Sequence, residues 1–236
     1  MASGEGTDPV ERHVRVHRTA RFFQLGGVGG GSDTREIWLA CHGYGQLAAP
    51  FARALDPLND GTRVVVAPEG LSRFYLDDPT KRHGPDSPVG ASWMTREDRD
   101  HEITDYVEYL DTIVGQIQRE LATPGVRVVA LGFSQGVATA SRWAVFGRTK
   151  IDRLILWAGT LPKDLPEDRG EQLFRDASLT FVAGRADRLV SVDAIKSEQH
   201  ELEQRGIRSA LLTHKGAHAL SSEVLRELAA ETSSGA

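Results

Sequence analysis

A serine between two glycines carries the strongest chemical signal in the chain. The residues Gly132-Phe133-Ser134-Gln135-Gly136 stand between an apolar run, 126–131, and a segment that reads as a helix, 137–144. A strand, a tight turn around one serine and a helix together form a nucleophile elbow, in which strained backbone holds the hydroxyl clear of its neighbours. Glycine is needed on both sides because a larger side chain would collide with the strand or the helix. The pattern therefore predicts that Ser134 is a nucleophile.

A serine hydroxyl is a weak nucleophile at neutral pH, so it needs a base and a third group that orients the base. After a nucleophile elbow the expected chain order is serine, acid, histidine. Three histidines follow Ser134 in the sequence: His200, His214 and His218. His200 lies in a charged helical stretch and His214 ends a strand, so both read as ordinary surface or edge residues. His218 lies in the loop between the last strand and the last helix, and we expect it to be the base.

The acid should follow the strand that we predict at 179–183. Asp187 is the one carboxylate in the turn Gly184-Arg185-Ala186-Asp187. An aspartate in this position could instead cap the next helix. Asp193 lies closer to that helix and suits the cap better, which leaves Asp187 for the third catalytic position. The predicted triad is Ser134, Asp187 and His218.

Hydrolysis at a carbonyl also needs backbone N–H groups that stabilise the negative oxygen of the intermediate. One donor is expected from Gln135, the residue after the nucleophile. The second is expected from the loop His42-Gly43-Tyr44-Gly45-Gln46, where the flanking glycines let the N–H of Tyr44 point inward. His42 itself follows a buried strand without a partner for catalysis, so it reads as a structural hydrogen-bonding residue.

Strands with nearly continuous apolar character alternate with helices along the chain. This order predicts an α/β fold with a mostly parallel central sheet and helices on both faces. Ligands in such folds bind at the carboxyl ends of the strands, the edge at which Ser134 is expected. The predicted strands are 13–19 paired with 21–25, then 36–41, 63–67, 126–131, 153–157, 179–183 and 207–213, and the predicted helices are 48–55, 98–121, 137–144, 192–204 and 221–230.

Two irregular segments invite a functional interpretation. The polar stretch 68–92 is long for a loop in a compact domain, and such loops are usually functional. With Met94 as its far end, this segment could line an apolar substrate groove through Leu71, Phe74, Tyr75 and Trp93, although plain packing explains these side chains equally well. The glycine-rich stretch 26–32 resembles a phosphate cradle, but a strand follows it where a helix is required. We therefore expect no phosphate site there.

Composition limits the classes of partner. The chain has 236 residues, is 40% hydrophobic and carries a net charge of −5, with basic and acidic residues interleaved. These values predict a flexible segment, 1–11, followed by one catalytic domain, 12–236, and they disfavour nucleic acid as a partner. The single cysteine, Cys41, the absence of a signal-like start and the absence of a long apolar stretch favour a cytoplasmic protein without a membrane span. No spacing of ligands indicates a metal.

Together the motifs resemble the phospholipase/carboxylesterase family of α/β-hydrolases, which includes acyl-protein thioesterases and small bacterial carboxylesterases. The similarity spans about residues 36–230. It rests on the elbow at 132–136, the loop 42–45, Ser92-Trp93, Leu161-Pro162, the turn 184–187 and Gly216-Ala217-His218.

The resemblance implies an α/β-hydrolase fold and hydrolysis of small carboxylic esters without a cofactor, by the triad and the two amides named above. We expect esters of short to medium acyl chains as substrates, processed through an acyl-enzyme. Thioesterase or lysophospholipase activity on the same triad stays open, as does a homodimer. A non-catalytic ligand-binding module of the same fold is the alternative from another class.

Overall fold

A seven-stranded sheet runs through the computed structural model, which describes residues 8–27, 34–78, 80 and 82–231. Its strand order is β1-β3-β2-β6-β7-β8-β9, with β1 antiparallel to its neighbour and all other pairs parallel. The strands are β1 (Phe22–Leu25), β2 (Glu36–Cys41), β3 (Arg63–Pro68), β6 (Arg127–Phe133), β7 (Arg153–Trp157), β8 (Ser178–Gly184) and β9 (Ser209–His214). The predicted fold class, a mostly parallel α/β sheet, is confirmed.

Helices cover both faces of the sheet, and the strands are apolar throughout because each face has its own core. On β2, Ile37 and Leu39 pack in the larger core with α2, α3, α4 and α5, whereas Trp38 and Ala40 point to the other core with α1 and α6. The helices are α1 (Ala48–Ala54), α2 (Arg99–Leu121), α3 (Gln135–Phe146), α4 (Glu167–Asp176), α5 (Val192–Gln204) and α6 (Ser222–Glu231). Within the described ranges, no helix combines the length and the apolar character needed to cross a membrane.

Strand register brings distant loops to one edge of the sheet. In the β2–β6 pair Cys41 lies opposite Gly132, and in the β8–β9 pair Gly184 lies opposite His214. Because all four strands are parallel, the loops that follow them start at the same level. The expected oxyanion loop therefore begins beside the elbow, and the expected acid turn begins beside the histidine loop.

The structure corrects the sequence-based prediction at the N-terminal end. Residues 13–19 form no strand, and Val14 and Val16 are 84% and 77% exposed. Their alternation lacks a partner strand, because β1 pairs with β3 instead. Of the expected flexible segment, residues 1–7 lie outside the described residues, while 8–11 are exposed and irregular. Most of the glycine-rich stretch, 28–33, lies outside the described residues as well.

Two further elements were not predicted. The segment expected as a loop contains a two-stranded antiparallel hairpin, β4 (Ser72–Tyr75) with β5 (Val89–Ser92). Helix α4 escaped prediction because only Gly170 and Phe174 on it are buried, so few apolar residues mark its helical period.

Candidate active site

Ser134 occupies the turn between β6 and α3 in a conformation that side chains rarely adopt, with φ 54° and ψ −118°. The flanking glycines leave no room for a side chain. A Cβ on Gly136 would lie 2.0 Å from the carbonyl oxygen of Cys41, and one on Gly132 would lie 2.3 Å from the carbonyl oxygen of Gly136. The predicted steric reason for glycine at both positions is confirmed. Close contact between the turn and its neighbouring strand and helix maintains the strained serine.

Asp187 and His218 form a hydrogen-bonded pair. The Nδ1 atom of His218 lies 2.8 Å from Oδ2 of Asp187, whose side chain is fully buried. The other carboxylate oxygen, Oδ1, accepts the backbone N–H groups of Leu189 and Val190 at 2.8 and 3.1 Å. Burial alone would raise the pKa of Asp187, but the hydrogen bonds outweigh it, and the pKa is lowered. The carboxylate is therefore ionised at neutral pH and fixes the imidazole.

Backbone hydrogen bonds join the loops that carry this pair. The N–H of Arg185 donates to the carbonyl of His214 at 2.8 Å, and that of Ala186 donates to the carbonyl of Gly216 at 3.1 Å. The imidazole of His218 lies against Phe133, with ring centroids 5.0 Å apart. Because Phe133 immediately precedes Ser134, the three residues predicted as a triad come to one edge of the sheet.

The two predicted oxyanion-hole residues flank the elbow. A Cβ on Gly43 would lie 3.2 Å from Cβ of Ser134, so the loop after β2 passes directly over the serine. The amide of Gly43 donates to Oε1 of Gln46, and that of Gly45 donates to the carbonyl of Ala91. The amide of Tyr44, between them, has no acceptor within the described chain. Gln135 opens α3, where the first N–H groups have no acceptor inside the helix. The amides of Tyr44 and Gln135 can therefore each donate a hydrogen bond to an oxygen atom of a bound molecule.

The side chain of Gln135 ties the elbow to the segment after the hairpin. Its Nε2 donates to Oγ of Ser92 at 3.1 Å and to the carbonyl of Met94 at 3.0 Å, while its Oε1 accepts the N–H of Trp93 at 3.3 Å. Trp93 was expected in the substrate groove, and this expectation is wrong. Its ring is 1% exposed, and its Nε1 donates to the carbonyl of His42 at 2.8 Å.

The structural interpretation of His42 is confirmed. This residue is fully buried; its Nδ1 lies 2.8 Å from the carbonyl oxygen of Gly43, and its Nε2 accepts the N–H of Gly70 at 3.0 Å. The two contacts fix a neutral imidazole protonated at Nδ1, and burial lowers its pKa. By contrast, the helix cap expected from Asp193 is made by Ser191, whose Oγ accepts the N–H of Ala194 at 3.1 Å.

An apolar cavity of about 500 Å³ opens beside His218. It lies between the start of α1, the elbow and the loop before α6, and its larger side chains are Leu47, Pro50, Phe51, Phe133 and Leu220. Two of these residues stand next to predicted catalytic positions: Phe133 immediately precedes Ser134, and Leu220 follows His218 by two positions. Neither was predicted to line a substrate site.

The remaining residues expected to line a groove lie elsewhere. Leu71 and Phe74 are half-buried, and Phe74 packs on Tyr44 with ring centroids 5.2 Å apart. Tyr75 is exposed and stacks on His83 at 3.9 Å. None of the three lines the cavity beside His218. The hairpin directs its aromatic side chains towards the surrounding loops, so that Phe74 contacts Tyr44, and a substrate contact of these three residues stays a prediction.

Glu69 was missed by the sequence analysis and holds the rim of the site together. Its carboxylate, buried just after β3, accepts hydrogen bonds from Arg21 at 2.7 and 3.0 Å, from Arg73 at 2.5 Å and from the N–H of Ala48 at 3.3 Å. Burial would raise the pKa of Glu69, but these donors outweigh it and lower the pKa. One carboxylate thus links the edge strand β1, the hairpin and the start of α1.

Comparisons with solved structures show the same fold. Maize (Zea mays) acyl-protein thioesterase 2 is 15% identical to this chain and superposes with a TM-score of 0.68. The match covers 92% of this chain and 99% of the thioesterase. The Bacillus cereus carboxylesterase is 14% identical, with coverage of 91% and 94% and a TM-score of 0.64. Esterase PE8 is 18% identical, with coverage of 92% and 99% and a TM-score of 0.62. The resemblance to thioesterases and carboxylesterases is confirmed in the fold.

No curated protein matches the sequence significantly. A model of the family described as serine hydrolase (FSH1) matches residues 36–223, which include the elbow, the acid turn and the histidine loop. This match covers well over half of the chain, and the chain therefore belongs to the FSH1 serine hydrolase family.

Proposed function

We propose that the protein is a serine carboxylesterase that hydrolyses esters of short to medium acyl chains through an acyl-enzyme. The observation that carries the proposal is the Asp187–His218 hydrogen bond of 2.8 Å beside the strained turn of Ser134. The family supports serine hydrolysis in general, and the apolar cavity beside His218 supports an acyl substituent.

The proposed reaction follows from the arrangement of these groups. His218 takes the proton of the Ser134 hydroxyl while Oγ attacks the ester carbonyl, and the amides of Tyr44 and Gln135 bind the resulting oxyanion. The C–O bond to the alcohol then breaks, and His218 returns the proton to the leaving oxygen. Water, deprotonated by the same imidazole, attacks the acyl-enzyme and releases the acid and free Ser134. Asp187 stays ionised and stabilises the imidazolium throughout.

The acyl chain is proposed to occupy the cavity lined by Leu47, Phe51, Phe133 and Leu220. Its volume of about 500 Å³ lies within the range usual for small-molecule sites, and its lining excludes water from the chain. The cavity belongs to the domain itself, which supports small-molecule esters over a macromolecular substrate. We propose a cytoplasmic setting, because a chain with the single cysteine Cys41 cannot form an internal disulfide.

A panel of p-nitrophenyl esters from acetate to palmitate tests the proposal, run beside an acyl thioester and a lysophospholipid. We expect the highest kcat/KM on short to medium chains and loss of several orders of magnitude in Ser134→Ala. Preference for the thioester or the lysophospholipid would reassign the substrate while keeping the mechanism.

A fluorophosphonate probe tests the chemistry independently of the substrate. The proposal predicts one label per chain in the wild type and none in Ser134→Ala. An unlabelled wild type would make the protein a non-catalytic module of the same fold. Size-exclusion chromatography of the same samples tests whether the chain forms the homodimer that the sequence left open.

A further inference from the structure

The start of α2 carries a cluster of side chains that can bind a metal. His13, from the N-terminal segment, meets Asp98 and His101 there. The Nε2 atom of His13 lies 3.2 Å from Oδ1 of Asp98, and the Nδ1 atom of His101 lies 2.7 Å from the same oxygen. The two imidazoles are stacked, with centroids 3.9 Å apart and planes inclined by 24°. One ligand atom from each residue lies within 4.8 Å of the others.

One carboxylate and two imidazoles form a set that suits Zn²⁺ and neighbouring transition metals better than Mg²⁺ or Ca²⁺, which prefer oxygen alone. In a tetrahedral zinc site, with bonds of about 2.0–2.2 Å, ligand atoms stand about 3.3 Å apart. The two separations from Oδ1 of Asp98, 3.2 Å and 2.7 Å, are close to that value. Oε1 of Glu11 lies 3.1 Å from Nε2 of His13 but is not among the ligand atoms that all lie within 4.8 Å of one another.

Other contacts hold the segment against α2 independently of this cluster. Arg15 donates to both carboxylate oxygens of Glu108 at 2.9 and 3.2 Å, and the hydroxyl of Tyr109 donates to the carbonyl of Arg21 at 2.8 Å. Glu108 and Tyr109 are adjacent on α2, about two turns beyond His101. They align the segment along α2, so that His13 arrives at the helix start already ordered by its neighbours.

The carboxylate of Asp98 is available to a metal. Asp98 precedes the first residue of α2, a position where aspartate commonly accepts a helix N–H, but its side chain makes no capping bond. Arg99 does not neutralise the site, because its guanidinium binds Asp164 at 2.5 Å and Asp100 at 3.2 Å. Arg96 borders the same depression from the exposed side. The carboxylates of Glu11, Asp98 and Asp100 outnumber the two arginines that line this depression.

We propose that His13, Asp98 and His101 bind a divalent transition metal such as Zn²⁺ that clamps the N-terminal segment to α2. The site shares no residue with the proposed triad and is structural in character. It departs from the sequence-based expectation of no metal. The spacing of the ligands along the chain could not reveal it, because folding alone brings residue 13 to residues 98 and 101.

The test is isothermal titration of the full, untagged chain with Zn²⁺, together with Co²⁺ absorption as a report of tetrahedral geometry. We expect a saturable site at one metal per chain in the wild type, with affinity reduced at least about tenfold in His13→Ala and in His101→Ala. His17→Ala is the matched control, because His17 is an exposed histidine of the same segment outside the cluster. Equal binding by the wild type and His101→Ala, or equal loss in His17→Ala, would overturn the proposal.

Limited trypsin digestion gives a second readout that is independent of affinity. The segment carries exposed cleavage sites at Arg12, Arg15 and Arg18. Zn²⁺ should slow cleavage there in the wild type. It should leave the rate unchanged in His101→Ala, in which the N-terminal segment has the same sequence as in the wild type. Metal binding without protection in the wild type would show that no clamp forms.

Discussion

At the scale of single residues, Asp187 uses its two oxygens for different purposes. Oδ1 is anchored by the N–H groups of Leu189 and Val190, and Oδ2 orients Nδ1 of His218. The anchoring bonds fix the carboxylate whether or not the imidazole is charged. The orientation of His218 thus depends on backbone geometry as well as on the acid itself.

Asp187→Asn should therefore lose most turnover with little loss of fold. The amide can present an N–H where a carboxylate oxygen accepted one, which misorients the imidazole or stabilises its wrong tautomer. By the behaviour of such triads we expect kcat to fall by about 10³–10⁴-fold, measured on a short p-nitrophenyl ester. Asp193→Asn is the control, since Asp193 lies on α5 and Ser191 makes the cap there. A larger loss in Asp193→Asn than in Asp187→Asn would place the acid elsewhere.

Sequence reasoning placed in the fold those residues whose proposed chemistry restricts their position in the chain, and it misplaced residues without such a restriction. The elbow serine, the acid after β8 and the histidine after β9 each need a loop at one sheet edge, and chain order alone selects them. Trp93 and Phe74 had no such restriction, because an apolar side chain in the core and one in a pocket look alike in sequence. The buried carboxylate of Glu69 was equally invisible, since its partners Arg21 and Arg73 come from other elements.

At the scale of elements, the close approach of α3 to β2 determines the geometry of the site. A Cβ on Gly136 would meet the main chain of Cys41 and His42 at 2.0 to 2.8 Å. Neither strand nor helix can move independently there, because β2 also pairs with β6 along its length. The serine is therefore held by packing between main chains.

Gly136→Ala should destabilise the fold and not only the activity. The added methyl group forces α3 away from β2, and overpacking of this kind costs about 1–3 kcal/mol or more. Chemical denaturation of the soluble variant measures the loss. Gly84→Ala is the control, because a Cβ at Gly84 meets nothing within 4 Å. An unchanged unfolding free energy for Gly136→Ala would show that the contact can relax without cost.

A second link between elements is titratable. Oε1 of Glu198 on α5 accepts the N–H of Leu161 in the loop after β7 at 2.8 Å, while its Oε2 is buried without a partner in the described structure. Burial raises the pKa of Glu198 to about 7. The folded state therefore binds a proton that the unfolded chain releases, and stability falls as the pH rises from about 4.5 to 7.

Glu198→Gln should remove this loss, because the amide keeps an acceptor for Leu161 and carries no charge. At pH 8 we expect its melting temperature to exceed that of the wild type by about 2–4 °C, with the difference shrinking towards pH 5. Thermal unfolding at both pH values measures it. Glu203→Gln, at an exposed position of the same helix, serves as the control. A wild type and a Glu198→Gln variant with parallel pH profiles would exclude Glu198 as the source.

The long helix α2 was predicted because its apolar residues recur at the helical period of 3.6 residues. The buried parallel strands were predicted because each is a nearly continuous apolar run. Helix α4 and the hairpin β4–β5 were not, since each buries few residues and is stabilised by tertiary contacts. The same limit explains the error at 13–19, where alternation exists without a neighbouring strand. Local pattern thus predicts the elements that form the two cores and misses those at their margins.

At the scale of the whole molecule, the two faces of the sheet have separate roles at the site. The larger core holds α3 and so fixes Ser134, the proposed nucleophile, whereas the smaller core holds α1 and α6, whose adjoining loops border the apolar cavity. Substrate preference can consequently change on one face without moving the reacting groups fixed by the other. The end of α1 is suited to such a change, because Ala54 lines the cavity and is itself exposed.

Ala54→Trp should shorten the preferred acyl chain by filling part of the cavity. We expect kcat/KM for p-nitrophenyl butyrate to stay within about threefold of the wild type and that for the decanoate to fall about 10-fold or more, since each methylene excluded from an apolar pocket loses about 0.8 kcal/mol. The control is Arg53→Trp, which adds similar bulk one position earlier, where the side chain does not line the cavity. Equal losses on both esters would indicate a distorted site, and an unchanged profile would mean that the acyl chain binds elsewhere.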